Sequence, residues 1–327
     1  MKLFVKILLG ILILLVLGVA GMLSYVKFAL PKVSDAPDIK VEITTERLER
    51  GDYLSNYVSG CIECHSQRDW HTFSGPVVPG TEGGGGMAYT HEMGTPGTLY
   101  PPNITAVGLG EWTDGEIFHA ITAGIGRNGE ALYPLMPYHD YGKMDREDIY
   151  SIIAYLRSLE PVGTVTPERE LDFPLGLIVN LMPVEPGFSE FPDTTDWVAY
   201  GKYLSTAGGC ISCHSLQDDK GMKVPGMLMA GGNEYPMPGF GIVRSSNLTP
   251  DVETGIGRWT ENAWVARIAV YSDSSVVMPA VNPREFNSVM GWSTHSHMTE
   301  KDLRAIYRYI QTVEPVSNKV ERFTSER

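Results

Sequence analysis

The sequence predicts an all-α protein made of two tandem copies of one helical unit with long loops, behind an N-terminal helix long enough to cross a membrane. Three observations predict it. Ile7–Val26 is a nearly unbroken apolar run of 20 residues. The second half of the chain repeats the first, with Leu132–Val162 lying on Phe286–Val316 at an offset of 154 and no gap. In both copies apolar residues fall on one helix face: Ile149, Ile152, Ile153 and Leu156, then Leu303, Ile306 and Ile310.

The apolar run is preceded by Lys2 and Lys6 and closed by Lys27. About 20 apolar residues at 1.5 Å each span a ~30 Å hydrocarbon core. A cleaved signal has an apolar core of about 7–15 residues and ends at a small-x-small site. The best such triplet, Val19-Ala20-Gly21, lies inside the run, and no cysteine is available for a lipid anchor. The run reads as an uncleaved signal anchor, with a cleaved signal as the alternative. Either one exports the body, and the early lysines keep the N-terminus cytoplasmic.

Further pairs recur in the same order, with gaps between them. Gly51-Asp-Tyr-Leu54 matches Gly201-Lys-Tyr-Leu204, and Cys61-Ile-Glu-Cys64-His65-Ser66 matches Cys210-Ile-Ser-Cys213-His214-Ser215. Asn103-Ile-Thr105 matches Asn247-Leu-Thr249, and Trp112-Thr113 matches Trp259-Thr260. The division that follows is an anchor over residues 1–32, a first domain over 33–163, a linker over 164–195 and a second domain over 196–327. It agrees with the roughly two domains that 327 residues imply at about 150 per domain.

Helices are expected over 46–59 and 196–208, leading into the cysteine motifs, and over Asp114–Ala123 and Glu261–Val270. The clearest are Asp145–Leu159 and Thr299–Val313, where Asp145 and Thr299 stand at N-cap-like positions with acids following. Gly51 and Gly201 fit a helix crossing, where a missing Cβ permits close approach. The linker holds Pro167, Pro174, Pro183, Pro186 and Pro192, so it cannot be a long helix. Its apolar core, Phe173–Pro183, is too short to span a membrane and is expected to pack across both domains. No convincing set of alternating strands is present.

Hydrophobic residues are 43% and charged residues 20% of the chain, within the globular range, which excludes a wholly disordered protein. Gly (35) and Pro (22) are in excess, as in a loop-rich fold. Net charge is −13, and because residues 1–32 carry four lysines and no acid, the rest carries −17. Such a body repels phosphate backbones, so nucleic acid is excluded as a partner.

All four cysteines, Cys61, Cys64, Cys210 and Cys213, fall in two Cys-x-x-Cys-His motifs. This is the attachment signature of c-type haem. Two thiols one helical turn apart each bond a haem vinyl group, and the adjacent histidine, His65 or His214, sits under the iron. Zinc would need a second pair nearby or more spaced histidines, and a dithiol redox site would need a strand–helix context that is lacking. The motifs therefore predict two covalently bound c-type haems. Met/His ligation gives an electron-transfer site of raised potential. Met136 and Met290 precede the last helix of their copies by the same spacing and are flanked by Tyr133, Tyr138, Phe286 and Trp292, which makes them the expected second ligands. Met278-Pro279 competes for the second haem, because it reproduces the pair Met136-Pro137 out of register. His295 and His297 are alternative ligands. Met144 and Met298 read as packing, and His71, His91, His119 and His139 as surface or hydrogen-bonding residues.

Trp112 and Trp259 suit either an indole bond to a haem propionate or plain core packing. Arg127 is a candidate propionate partner in the first copy. Asn103-Ile-Thr105 and Asn247-Leu-Thr249 match a glycosylation pattern, but their recurrence points to loop hydrogen bonding. Gly83–Gly86 lacks the rest of a phosphate loop, Asp251–Gly255 is only weakly like a calcium loop, and no catalytic constellation stands out.

The stretches CIECHS, NITAVGLGEWTDGEI, ALYPLMPY, LDFPLGLIVNLMP, CISCHS and NLTPDVETGIGRWTE resemble the membrane-bound cytochrome c subunits of bacterial alcohol, gluconate and related sugar dehydrogenases. The resemblance covers most of residues 45–316. It implies class I cytochrome c-like domains that pass electrons from a periplasmic dehydrogenase to the respiratory chain at the inner membrane. Subunits of that family carry three haem domains, and this chain has two motifs. The resulting expectation is a membrane-anchored electron carrier or oxidoreductase subunit that is not an enzyme by itself. A dihaem peroxidase is the rival reading.

Overall fold

The computed structural model describes residues 2–219 and 221–326. The chain is predominantly α-helical, and α1 (Lys2–Phe28) is a single long apolar helix that buries none of its residues. The first copy holds α2 (Thr45–Tyr53), α3 (Cys61–Cys64), α4 (Ala106–Leu109), α5 (Asp114–Ala123), α6 (Tyr138–Tyr141) and α7 (Arg146–Ser158). A short α8 (Leu175–Ile178) lies in the linker. The second copy holds α9 (Trp197–Ala207), α10 (Cys210–His214), α11 (Glu261–Ala269), α12 (Trp292–His295) and α13 (Glu300–Ile310).

The helix starts follow from local chemistry. Thr113 and Glu116 form a capping box on α5, satisfying two amide donors that the first turn leaves free. Asp145 and Thr299 cap α7 and α13 as expected. The predicted apolar faces are buried, with Ile149, Ile152, Ile153, Leu303, Ile306 and Ile310 all in the core. Cross-packing of α2 on α7 and of α9 on α13 depends on the two expected glycines. A Cβ at Gly51 would meet the Ser151 carbonyl oxygen at 1.9 Å, and one at Gly201 would meet that of Ala305 at 1.9 Å.

Leading into the cysteine motifs, the copies differ by one residue. Gly51 to Cys61 is one residue longer than Gly201 to Cys210. The first copy absorbs the extra residue in a π-helical turn, Leu54–Val58, where the Ser59 amide donates to the Leu54 carbonyl at 2.7 Å. Single π turns of this kind commonly mark functional sites.

Two small sheets correct the expectation of no strands. β1 (Gly97–Thr98) pairs antiparallel with β2 (Glu170–Leu171) of the linker. β3 (Glu234–Met237), β4 (Gly241–Arg244) and β5 (Phe323–Ser325) form an antiparallel sheet in the order β3-β4-β5. These strands of two to four residues lie among glycines and prolines, and Pro236 sits within β3, so they carry no readable alternation.

The linker packs on both copies through Phe188 and Phe191, not through its apolar core as expected: within Phe173–Pro183 only Val179 is buried, Phe173, Ile178 and Leu181 stay exposed, and Asn180 bonds the end of α1 instead. Phe188 meets Phe118 and lies under Arg146, while Phe191 meets Tyr200 and Tyr203 and lies under Arg50.

Gly51→Ala and Gly201→Ala are each expected to lower stability by about 2–3 kcal/mol through overpacking, read by chemical or thermal unfolding. Gly163→Ala, where a Cβ meets nothing, is the neutral control.

Candidate haem sites and the contact between the copies

Each Cys-x-x-Cys-His segment begins after a glycine in the left-handed region, Gly60 at φ 65° and Gly209 at φ 70°. That conformation suits glycine, which lacks the Cβ that makes it costly elsewhere. The following turn places the two thiols on one helical face. Cys61, Cys64 and Cys210 are half-exposed and Cys213 is exposed. The protein packed around them pushes the thiols up, to about 12 for Cys61 and Cys210.

The histidines are held identically. His65 Nδ1 lies 2.7 Å from the Pro102 carbonyl oxygen, and His214 Nδ1 lies 2.7 Å from that of Ser246. A carbonyl only accepts, so Nδ1 carries the proton and Nε2 keeps its lone pair for a metal. Both rings are buried, and burial lowers the pKa of each, which favours the neutral, ligating form.

The surrounding loops repeat as well. Gly85 N–H donates to the His65 carbonyl at 2.8 Å, and Gly231 N–H to that of His214 at 2.7 Å. Asn103 Oδ1 accepts from both the amide and the hydroxyl of Thr105, and Asn247 Oδ1 does the same with Thr249. Their amide groups tie these loops to the Val162 and Val316 carbonyls. All four residues are buried, which accounts for the recurring Asn-x-Thr as internal hydrogen bonding.

Met136 and Met290 are half-buried and pack against the core that also receives Cys61 and Cys210. They share one local turn: the Met136 carbonyl accepts from Tyr138 N–H and the Met290 carbonyl from Trp292 N–H, both at 2.8 Å. Met278 has a different setting, in an exposed loop whose Pro279 carbonyl accepts from Phe73 N–H in the other copy at 2.9 Å. Met144 and Met298 are buried in the core.

His91 pairs with Asp172, and His139 meets the Met182 carbonyl. His295 meets the Tyr57 carbonyl, and His297 stacks on Tyr57. Trp112 packs against the core, whereas Trp259 is exposed on the surface. Arg127 is exposed and faces Glu111 and Glu116.

The contact between the copies is reciprocal. Tyr53 O–H donates to Asp302 Oδ2 at 2.5 Å, and the equivalent Tyr203 O–H donates to the equivalent Asp148 Oδ2 at 2.5 Å. Each tyrosine oxygen also accepts the N-cap amide of the opposing helix, Thr299 N–H at 3.0 Å and Asp145 N–H at 3.2 Å. Arg50 adds a bidentate bond to Asp148, and Tyr200, at the matching position, bonds Asp302.

The residues between the cysteines join the same contact. Glu63 accepts from Thr294 Oγ1 at 2.5 Å and pairs with Arg68. Ser212, at the matching place, donates to Asp140, which matches Thr294. Each motif is thus bonded to the opposing copy, with donor and acceptor exchanged. One contact is one-sided: Ser74 of the first copy donates its hydroxyl to the Met290 carbonyl at 2.6 Å and accepts from Trp292 N–H at 3.0 Å.

Sequence reasoning did not anticipate Ser74, Glu63 or the tyrosine–aspartate pairs. The recurrence of Tyr53 with Tyr203 and of Asp148 with Asp302 was the available signal. It also missed Tyr89, beside Cys64, and Tyr235, whose hydroxyl reaches the Cys213 carbonyl at 3.2 Å.

No family model matches the chain. The class of protein it resembles is nevertheless clear from curated relatives: it is similar to the cytochrome c subunits of bacterial dehydrogenases. It is 28% identical to the cytochrome c subunit of alcohol dehydrogenase (quinone) from Komagataeibacter europaeus, over 85% of this chain and 58% of the relative. It is 26% identical to the gluconate 2-dehydrogenase cytochrome c subunit of Pantoea cypripedii, over 90% of this chain and 64% of the relative. A dihaem cytochrome c-type protein of Cereibacter sphaeroides is 27% identical over 74% of this chain and 78% of its own length. The chain thus spans about three-fifths of the two dehydrogenase subunits.

Tyr53→Phe and Tyr203→Phe each remove a hydrogen bond to a buried carboxylate. Each is expected to cost about 1.5–3 kcal/mol, measured by urea unfolding; a loss at only one of the two would break the reciprocity.

Proposed function

We propose that the chain is a membrane-anchored dihaem c-type cytochrome of two tandem class I-like domains, carrying electrons from a periplasmic dehydrogenase to the respiratory chain. One observation carries the reading: both motifs hold two thiols beside a buried histidine whose Nδ1 is committed to a carbonyl, leaving Nε2 to ligate. That donor set fits covalent haem. Cys61 and Cys64 would hold one haem and Cys210 and Cys213 the other, each through two thioethers. His65 and His214 would be the proximal ligands and Met136 and Met290 the distal ones. When bound, each haem supplies a one-electron Fe(III)/Fe(II) couple, with a potential raised by methionine ligation.

The chain's own residues do the positioning. The Pro102 and Ser246 carbonyls orient the imidazoles, and the shared turns at Met136 and Met290 favour Met290 over Met278. The reciprocal contact ties each motif to the opposing copy, which supports electron passage between the two sites within one chain. The relatives' naming as cytochrome c subunits of dehydrogenases supports a role as carrier or oxidoreductase subunit.

Supporting the partner assignment, relatives covering 85% and 90% of the chain are named as cytochrome c subunits of alcohol and gluconate dehydrogenases. α1 has the length and hydropathy of a single membrane span, which supports an inner-membrane anchor with the haem domains in the periplasm. The body's charge of −17 favours a donor or acceptor with a basic docking face. The peroxidase alternative draws no support from these relatives, and two methionine ligands would close the iron site that peroxide must reach.

Met136→Ala and Met290→Ala are each expected to abolish the methionine–iron charge-transfer band of one haem and lower its potential, while Met278→Ala leaves both. The opposite result for Met278 and Met290 would reassign the second ligand. Purified in mild detergent, the protein is expected to bring down a dehydrogenase containing a flavin or quinone cofactor; isolation without one, with peroxidase turnover, would overturn the carrier reading.

A further inference from the structure

We propose that the linker segment Phe173–Leu181 is a second membrane contact, lying in the lipid interface beside the point where α1 leaves the bilayer. The inference rests on the reading of α1 as a membrane anchor and adds to it a surface that α1 does not include.

The segment is chemically distinct from the rest of the acidic body. No charged residue occurs from Phe173 to Val184, between Asp172 and Glu185. Folding leaves Phe173, Ile178 and Leu181 exposed and Leu175, Leu177 and Met182 half-exposed. Helix α8 buries none of its residues, and Phe173 is 84% and Leu181 60% exposed, with Ile178 exposed beside them. Val179 alone in this stretch is buried and fixes the segment to the body.

Its position supplies the partner. Asn180 Nδ2 donates to the Val26 carbonyl at 3.2 Å. Val26 is the last residue of the apolar run, and its carbonyl is among those that the end of a helix leaves without an intrahelical acceptor role. A group bonded there lies at the depth where the helix emerges from lipid. Tyr25, Lys27 and Phe28 are exposed around the same turn, the residue types that anchor at a membrane–water boundary. The charged flanks are both partnered: Asp172 pairs with His91, and Glu185 accepts from Ser34. An apolar segment too short to span, joined to a spanning helix at its exit, lies on the bilayer with its exposed side chains among the headgroups and upper acyl chains. A protein covering this patch would have to occupy that same lipid surface.

The test uses the full-length protein with both haems attached, reconstituted in nanodiscs of phosphatidylethanolamine and phosphatidylglycerol. With the four native cysteines in thioethers, Leu181→Cys, Val165→Cys and Leu14→Cys each offer one reactive thiol for a nitroxide. All three positions are exposed in the fold, Val165 at 91%, so labelling spares the core. Relaxation by oxygen, which concentrates in lipid, is compared with relaxation by a neutral nickel chelate, which stays in water. The expected oxygen-to-nickel ratio is severalfold higher at position 181 than at 165, approaching that at 14. A ratio at 181 equal to that at 165, with a lipid-like value at 14, would overturn the proposal and leave the anchor standing. A water-like value at 14 would overturn the anchor reading, and the proposal with it.

Discussion

The structure depends on two exchanged hydrogen bonds, Tyr53 to Asp302 and Tyr203 to Asp148. Each carboxylate is almost fully buried, and a buried charge is costly unless it is paired and hydrogen-bonded. Asp148 is satisfied by Arg50 and Tyr203, and Asp302 by Tyr200 and Tyr53. One donor of each set comes from the other copy, so separating the copies would strip both carboxylates of a partner at once. Burial and the neighbouring carboxylate both hold the Tyr53 and Tyr203 pKa values up, so these phenols remain donors throughout the physiological range. The duplicated unit is thereby locked to its twin, and each Cys-x-x-Cys-His segment is tied to the opposing copy through Glu63–Thr294 and Ser212–Asp140.

The duplication is not exact, and its departures gather at this contact. The π turn at Leu54–Val58 carries the extra residue that precedes the first cysteine motif, and its Tyr57 meets His295 and His297 of the second copy. Ser74 bonds the turn that carries Met290 and sits at φ 64°, a conformation uncommon for any residue but glycine. No matching residue bonds the turn at Met136 among the hydrogen bonds of the described residues. The second methionine turn is therefore built partly by the first copy, which makes the two candidate sites unequal although their local geometry repeats.

How much of this was legible in the sequence follows from how local each cause is. The caps Asp145 and Thr299, the apolar faces of α7 and α13, and the crossings at Gly51 and Gly201 rest on spacings of a few residues or on one missing Cβ. The motifs were readable because their chemistry needs all its groups within five consecutive residues. The register of the repeat set Met290 beside Met136, and the local turns at the two residues repeat. The pairs Tyr53–Asp302 and Ser74–Met290 join residues more than 200 positions apart, and no local pattern encodes how two copies dock. The short strands were missed because two to four residues give no period. The apolar linker core was seen, but its exposure beside α1 is a property of the fold alone.

The account stands on two covalent haems per chain. Intact mass of the native protein under denaturing conditions, where thioether-bound haem stays attached, tests this directly. The predicted mass is that of the polypeptide plus two haems, with the pyridine haemochrome spectrum of thioether-linked haem. The bare polypeptide mass, or an increment of a single haem, would contradict it.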